Sequence, residues 1–221
     1  MSLPPAVDLT IAELVELARA LAVPGERHIL GITGSPGAGK STVADGIVAA
    51  LGPEVAVLVS MDGFHLANVV LQSLGRRDRK GADDTFDCAG YANLLERLHR
   101  TSTAPGGPGA VETVFAPEFR REIEEPIGSA TPVYPWTPLV VTEGNYLLLE
   151  RDAWPRARGF LDEVWFLAPG EDIRRQRLVR RHEAYGKSAD DARGWALGTD
   201  QRNAELIEAT AIRADRIIRV I

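Results

Sequence analysis

Gly34-Ser35-Pro36-Gly37-Ala38-Gly39-Lys40-Ser41 fits the pattern G-x-x-x-x-G-K-[ST] at every fixed position. The flanks fit too. His28-Ile29-Leu30-Gly31-Ile32-Thr33 is a short apolar run that reads as a buried strand. From Thr42 to Leu51, Val43, Ile47, Val48 and Leu51 recur at helical spacing, and Gly52-Pro53 stops them. Glycines in the loop let the backbone turn tightly and bring its N–H groups up to phosphate oxygens. The helix that follows adds its own unpaired N–H groups and positive dipole end. Lys40 can reach the β- and γ-phosphates, and the Ser41 hydroxyl can ligate Mg²⁺. Residues Gly34 to Thr42 are therefore the expected cradle of a nucleoside triphosphate. A glycine-rich turn that binds nothing is the bland alternative, and the flanks argue against it.

A chain of 221 residues suffices for one large α/β domain and is short for two. The net charge of −6 argues against nucleic acid or an anionic membrane as main partner. No apolar run approaches a membrane span, and no basic stretch followed by a hydrophobic core opens the chain. Cys88 is the sole cysteine, which excludes an intrachain disulfide and suits a reducing cytoplasm. It reads as a small buried apolar residue rather than a catalytic one.

Beyond the loop, strands and helices alternate, which predicts a parallel sheet with right-handed crossovers. Asp8 to Ala22 reads as an amphipathic helix, capped near Asp8 or Thr10 with Glu13 three residues after Thr10. Val55 to Ser60 is a second strand, and Asp62 follows it directly. An acid at the C-terminal end of a parallel strand faces the ligand crevice, so Asp62 is placed to meet a phosphate acceptor or a metal. An N-cap for the next helix is the alternative. Leu139 to Thr142 is another strand, running into Glu143. An acid at this point completes the Mg²⁺ shell of phosphate-loop proteins.

Leu66 to Leu74 and Tyr91 to Arg100 read as helices, the latter opened by Asp87 or Cys88. Gly75 to Gly81 is a basic loop that is either a solvated turn or a substrate contact. Ser102 to Ala110 is rich in Pro and Gly and reads as a surface loop. Val111 to Phe115 reads as a short strand. Pro117 to Pro135, broken by prolines, is expected to be irregular, with Arg120, Arg121 and His65 as candidate contacts for an anionic or polyhydroxylated substrate. Glu163 to Leu167 is a further strand. The stretch after it carries five arginines among residues 174–181. Arg174, Arg177 and Arg181 share one helical face. An exposed, solvated helix is one reading. The other is a lid, spanning 171–190 with its tip at Tyr185 to Ser188, whose arginines close on the triphosphate. Asp190 to Leu197 and Asp200 to Ala214 read as helices, and Asp215 to Ile221 as the last strand.

The ordered set Gly-Ser-Pro-Gly-Ala-Gly-Lys-Ser, Met61-Asp-Gly-Phe-His65, Thr142-Glu-Gly-Asn-Tyr-Leu-Leu-Leu149, the arginine-rich segment and Thr199-Asp-Gln-Arg-Asn-Ala204 resembles the uridine kinase, pantothenate kinase and phosphoribulokinase family. The likeness leans toward bacterial members described as nucleoside-kinase-like or fructose-transport-associated kinases. It covers nearly everything from Ile29 onward. It implies a three-layer P-loop NTPase fold over 1–221, with helices on both faces of a parallel sheet. It implies Asp62 as general base, Ser41 and Glu143 as Mg²⁺ residues, and Arg174 and Arg177 as lid residues that act on the phosphates with Lys40. Asn203 would sit near adenine, and His65, Lys80, Asp87 and Arg120 would border the acceptor. Relatives tend to carry Phe-Asp-Arg where this chain has Phe119-Arg120-Arg121. A homodimer is expected by analogy alone.

Together these readings predict an ATP- and Mg²⁺-dependent kinase acting on a hydroxyl of a small metabolite: a nucleoside, a pantothenate-like compound or a sugar. Two alternatives remain. One is an NTP hydrolase or switch protein that activates water. The other is a non-catalytic nucleotide-binding regulator of sugar uptake.

Overall fold

A computed structural model describes residues 3–100, 112–184, 188 and 199–221. Its centre is a six-stranded sheet in the order β1-β8-β7-β2-β6-β3, with every neighbouring pair parallel. The strands are β1 (Ala6–Leu9), β2 (His28–Thr33), β3 (Ala56–Leu58), β6 (Leu139–Glu143), β7 (Glu163–Leu167) and β8 (Arg216–Val220). The apolar runs are two-sided because both faces are covered. Leu30, Ile32, Val141, Trp165 and Leu167 pack on one face against α1 (Ile11–Leu21) and α2 (Lys40–Leu51). Ile29, Val140, Val164 and Phe166 pack on the other against α4 (Cys88–Arg100), α5 (Trp154–Arg158) and α7 (Thr199–Glu208). This is the expected three-layer α/β P-loop fold.

Local chemistry sets the element ends. Thr10 caps α1 in a reciprocal box: its Oγ1 accepts from the Glu13 N–H at 3.2 Å, and Glu13 Oε2 accepts from the Thr10 N–H at 2.8 Å. Gly52 closes α2. Short α3 (Asn68–Ser73) lies within the expected 66–74 helix, and α6 (Glu171–Ala184) carries the arginines.

The structure departs from the sequence reading in four places. β1 precedes α1 and pairs with β8, adding an edge strand that has no apolar pattern of its own. Residues 114–133, mostly expected to be irregular, form an antiparallel hairpin of β4 (Val114–Arg120) and β5 (Glu125–Val133), with a register irregularity between Ala116 and Glu118. Its prolines are tolerated because a two-stranded ribbon has unpaired edges, where a missing N–H costs nothing. Helix α5, with Pro155 in its first turn, was not anticipated. The expected 200–214 helix is α7 followed by a single tighter turn, Ala211–Arg213. The loop read at 102–110, the lid tip at 185–187 and the helix read at 190–197 fall outside the described residues.

The hairpin is seated against the turn that carries Asp62. A Cβ on Gly63 would run into the Pro117 carbonyl, so only glycine allows this approach. On the same face of the sheet, Trp154 is fully buried, with its ring near those of Phe86, Tyr91 and Tyr146. Trp154→Ala is expected to cost about 3–5 kcal/mol by leaving a cavity. Urea denaturation followed by circular dichroism checks this, and a loss below about 1 kcal/mol would contradict the packing described.

Candidate functional site: a phosphate cradle facing two carboxylates

The loop between β2 and α2 leaves the middle of the sheet at its C-terminal edge, where parallel α/β folds place ligands. Gly37 has φ +83°, and a Cβ there would meet the Arg174 carbonyl at 2.8 Å and Leu178 Cγ at 2.8 Å. The glycine is therefore required twice, by its backbone angle and by α6 packed on the loop. Gly39, also left-handed at φ +94°, is the N-cap of α2, and the helix starts at Lys40. The buried Lys40 Nζ donates to the carbonyls of Gly34 at 2.9 Å and Ser35 at 3.3 Å, which holds the ammonium along the loop. Ser35 Oγ donates to Glu208 Oε1 at 3.2 Å, tying the loop to α7. Ser41 and Thr42 are exposed in the first turn of α2. Above the loop lies a cavity of ≈ 540 Å³, lined by Gly37 to Val43, by Arg121 and Arg177, and by Ile11 and Val220.

Two acids stand at neighbouring strand ends. Glu143 is the last residue of β6, and its side chain is buried. Asp62 follows β3 in a single tight turn, Met61–Phe64, which is capped by Ser60 and not by Asp62. Ser60 joins the two acids. Its Oγ accepts from the Asp62 N–H at 3.2 Å and donates to Glu143 Oε1 at 2.7 Å. Burial and then the nearby Asp62 charge push the Glu143 carboxyl above the usual range, against the pull of Lys40, Ser60 and Arg121. The Glu143 carboxyl thus feels the charges of Lys40, Asp62 and Arg121. Asp62 is partly exposed and faces Arg121, whose Nη2 lies 3.7 Å from its Oδ2.

The two lid arginines differ. Arg174 is almost fully buried. It makes two 2.8 Å bonds to Glu171, one of 2.7 Å to Gln201 Oε1, and one of 3.3 Å to the Pro36 carbonyl. It is a clasp joining α6, α7 and the loop. Arg177, three residues on, is exposed, lines the cavity, and reaches the Ala38 carbonyl at 3.4 Å. The side chain of Arg181 lies outside the described residues.

Candidates on the acceptor side also separate. The His65 ring is flanked by Phe86 and Phe119, at centroid distances of 4.0 and 4.7 Å. Its Nδ1 lies 2.8 Å from the Asp62 carbonyl, so that nitrogen carries the proton. Burial lowers the His65 pKa, with Asp62 opposing. Lys80 sits nearby: Nζ stands 5.1 Å over the Phe119 ring and donates to Asn68 Oδ1 at 2.8 Å and to the Glu124 carbonyl. Asp87 is spent differently. Its Oδ1 accepts from the Gly90 N–H at 2.8 Å, at the head of α4. Arg120 pairs with Glu118 at 3.3 Å, so the structure brings Arg121, not Arg120, to Asp62. Asn203 lies on α7 beside Ala204 and does not line the cavity above the loop. Ser60 and Gln201 were missed in the sequence. A serine two residues before an acid at a strand end was the available signal for Ser60.

A cation fits the donor set. Among the described residues no group of three or more His, Cys, Asp or Glu could cage a metal. What the site offers is oxygen donors only: the Ser41 hydroxyl and the carboxylates of Asp62 and Glu143. Sparse oxygen ligation that leaves most positions to water and phosphate is the way proteins hold Mg²⁺.

Comparison with known proteins gives the family. The profile of the family described as Phosphoribulokinase / Uridine kinase matches residues 29–221. An "ATP-dependent kinase-like protein notR'" of Aspergillus versicolor is 36% identical over 151 residues, covering 66% of this chain and 85% of that protein. A solved structure from Silicibacter sp. TM1040, described as a candidate fructose transport system kinase, is 33% identical with a TM-score of 0.77, covering 95% and 98% of the two chains. YFH7 of Saccharomyces cerevisiae shares the fold at a TM-score of 0.78 and 17% identity, covering 95% and 97%. No helix among the described residues is long and apolar enough to cross a membrane. The chain belongs to the phosphoribulokinase/uridine kinase family.

Proposed function

We propose that residues 1–221 form one ATP-dependent kinase domain, with 171–190 as its lid, which transfers the γ-phosphoryl group to a hydroxyl of a small metabolite. The observation that carries this is the placement of Asp62. Its carboxylate is partly open and faces an arginine that lines the same cavity as Lys40 and Arg177. A base there serves an attacking group that must lose a proton, and the hydroxyl of a small metabolite is such a group.

The roles follow from position. The loop amides from Gly34 to Thr42 bind the β- and γ-phosphates, and Lys40 exchanges its loop carbonyls for phosphate oxygens. Ile11 and Val220 give the cavity an apolar wall suited to a purine. Ser41 and Glu143 would hold Mg²⁺, which would supply charge neutralisation to the phosphates. Asp62 accepts the proton of the attacking hydroxyl. Ser60 fixes the turn that carries it, and the hydrogen bond from His65 to the Asp62 carbonyl holds the same turn from the other side. Arg177 spreads the charge of the transferring group. Arg174 acts through the loop that it clasps. His65 and Lys80 border the acceptor. The reaction then needs little from the protein beyond positioning and electrostatics.

Asp62→Asn is expected to lower kcat by about 10²–10⁴-fold, with ATP affinity nearly unchanged. Persisting turnover on the true acceptor would remove Asp62 as base. Lys40→Ala is expected to lose about a hundredfold or more in kcat, and steady-state assays showing full activity would take the loop lysine out of the mechanism. Arg174→Ala and Arg177→Ala should separate. The first costs about 1–3 kcal/mol of stability, because a buried side chain and its hydrogen bonds to Gln201 and the Pro36 carbonyl are lost, while Glu171 is left in solvent. The second leaves the melting temperature alone and lowers kcat. Equal melting temperatures for the two variants would refute that division. The acceptor itself is found by screening nucleosides, pantothenate, and ketose and aldose sugars with ATP and Mg²⁺. Phosphate release without any acceptor would favour a hydrolase instead.

A further inference from the structure

We propose that Arg121 is a further catalytic residue, whose guanidinium contacts the transferring phosphoryl group while Asp62 takes the acceptor's proton. The proposal rests on the phosphotransfer reading above. Three observations carry it. Arg121 Nη2 lies 3.7 Å from Asp62 Oδ2. The same side chain lines the cavity over Gly37–Ser41, alongside Arg177. Its backbone is fixed relative to Asp62, because the hairpin packs on the Met61–Phe64 turn through the Gly63–Pro117 contact.

Arg121 opens the turn after β4, just past the last ladder pair, Arg120 with Glu125. Its side chain is 49% exposed, so it is anchored at its root and can swing at its tip. A separation of 3.7 Å is a charge contact and not a formed hydrogen bond. The donors of Arg121 are therefore not locked onto Asp62, unlike those of Arg174 on Glu171.

Charge flow gives the arginine its function. Before transfer, Asp62 is ionised and balances Arg121. During transfer the acceptor oxygen bonds to the γ-phosphorus, and the bond from that phosphorus to the β–γ bridging oxygen breaks. The acceptor's proton moves to Asp62, and ADP leaves with the bridging oxygen. Asp62 is then neutral, and Arg121 has lost its counter-charge. The non-bridging oxygens of a phosphoryl group held in the same cavity then offer that positive charge a partner. Arg121 is thus poised by the base and released by the base's own protonation. Lys40 and Arg177 act from the loop and lid, and Arg121 acts from the hairpin side.

The test uses ADP with aluminium fluoride and Mg²⁺ as a mimic of the transferring phosphoryl group, so it does not depend on knowing the acceptor. Calorimetry on Arg121→Ala is expected to show affinity for this complex reduced by about 10²-fold, with ADP alone bound as in the unmodified protein. Arg121→Lys should fall between the two, and millimolar guanidinium should restore part of the binding by the alanine variant. Equal affinity of variant and parent for the mimic would overturn the proposal. So would an equal loss for ADP and for the mimic, which would make Arg121 a nucleotide-binding or structural residue. Absence of guanidinium rescue would also count against it. Failure of the kinase reading shows elsewhere, as a screen in which no acceptor is phosphorylated.

Discussion

Two like charges held side by side, one of them buried, are the constraint around which this site is arranged. Glu143 sits at the end of a core strand, and Asp62 one strand over, with Ser60 hydrogen-bonded to both. A buried carboxyl beside another acid is costly, and its raised pKa registers that cost. The fold does not relieve it with a dedicated arginine. Lys40 is occupied by loop carbonyls, and Arg121 stands off at 3.7 Å. On the proposed reading, a cation and a polyphosphate arriving together complete the balance. The strain in the acid pair and the proposed affinity for a metal–nucleotide complex are then two sides of one electrostatic arrangement.

The sheet and its attachments divide the chemistry. Acids and loop amides come from the ends of parallel strands, whose two-sided burial makes them rigid. The arginines that line the cavity come from elements laid on top: Arg177 from α6 and Arg121 from the hairpin. A base needs a fixed position, because proton transfer is sensitive to fractions of an ångström. A charge that follows a moving phosphoryl group does better on a long side chain with one anchored end.

Most of the core was legible in the sequence, because a strand covered on both faces reads as an unbroken apolar run. His28–Thr33, Leu139–Thr142 and Glu163–Leu167 are examples, and the strand-end acids followed from them. The rest was hidden for physical reasons. β1 is an exposed edge strand that pairs through its backbone with a partner over 200 residues away, and no local pattern records that. The hairpin was masked by Pro117, Pro126 and Pro132, which read as breakers because the sequence does not say which edge of a ribbon is unpaired. That miss had a functional cost. The irregularity between Ala116 and Glu118 shifts the register, and register decides which of two adjacent arginines meets Asp62.

Arg174 and Arg177 show the same limit at a finer scale. They are three residues apart on one helix, and spacing alone assigns them one face and one role. Packing separates them. The loop at Pro36–Gly37 approaches α6 so closely that the first arginine is enclosed and its donors are taken up by Glu171, Gln201 and a loop carbonyl. A guanidinium committed to those partners cannot also follow a phosphate. One turn further along, Leu178 still packs on Gly37, but Arg177 lies on the cavity side of the loop, exposed and, among the described residues, hydrogen-bonded only to the Ala38 carbonyl at 3.4 Å. What separates the clasp from the proposed phosphate contact is the side of the loop each arginine faces, and the close seating of α6 that sets it requires a glycine in another element, Gly37.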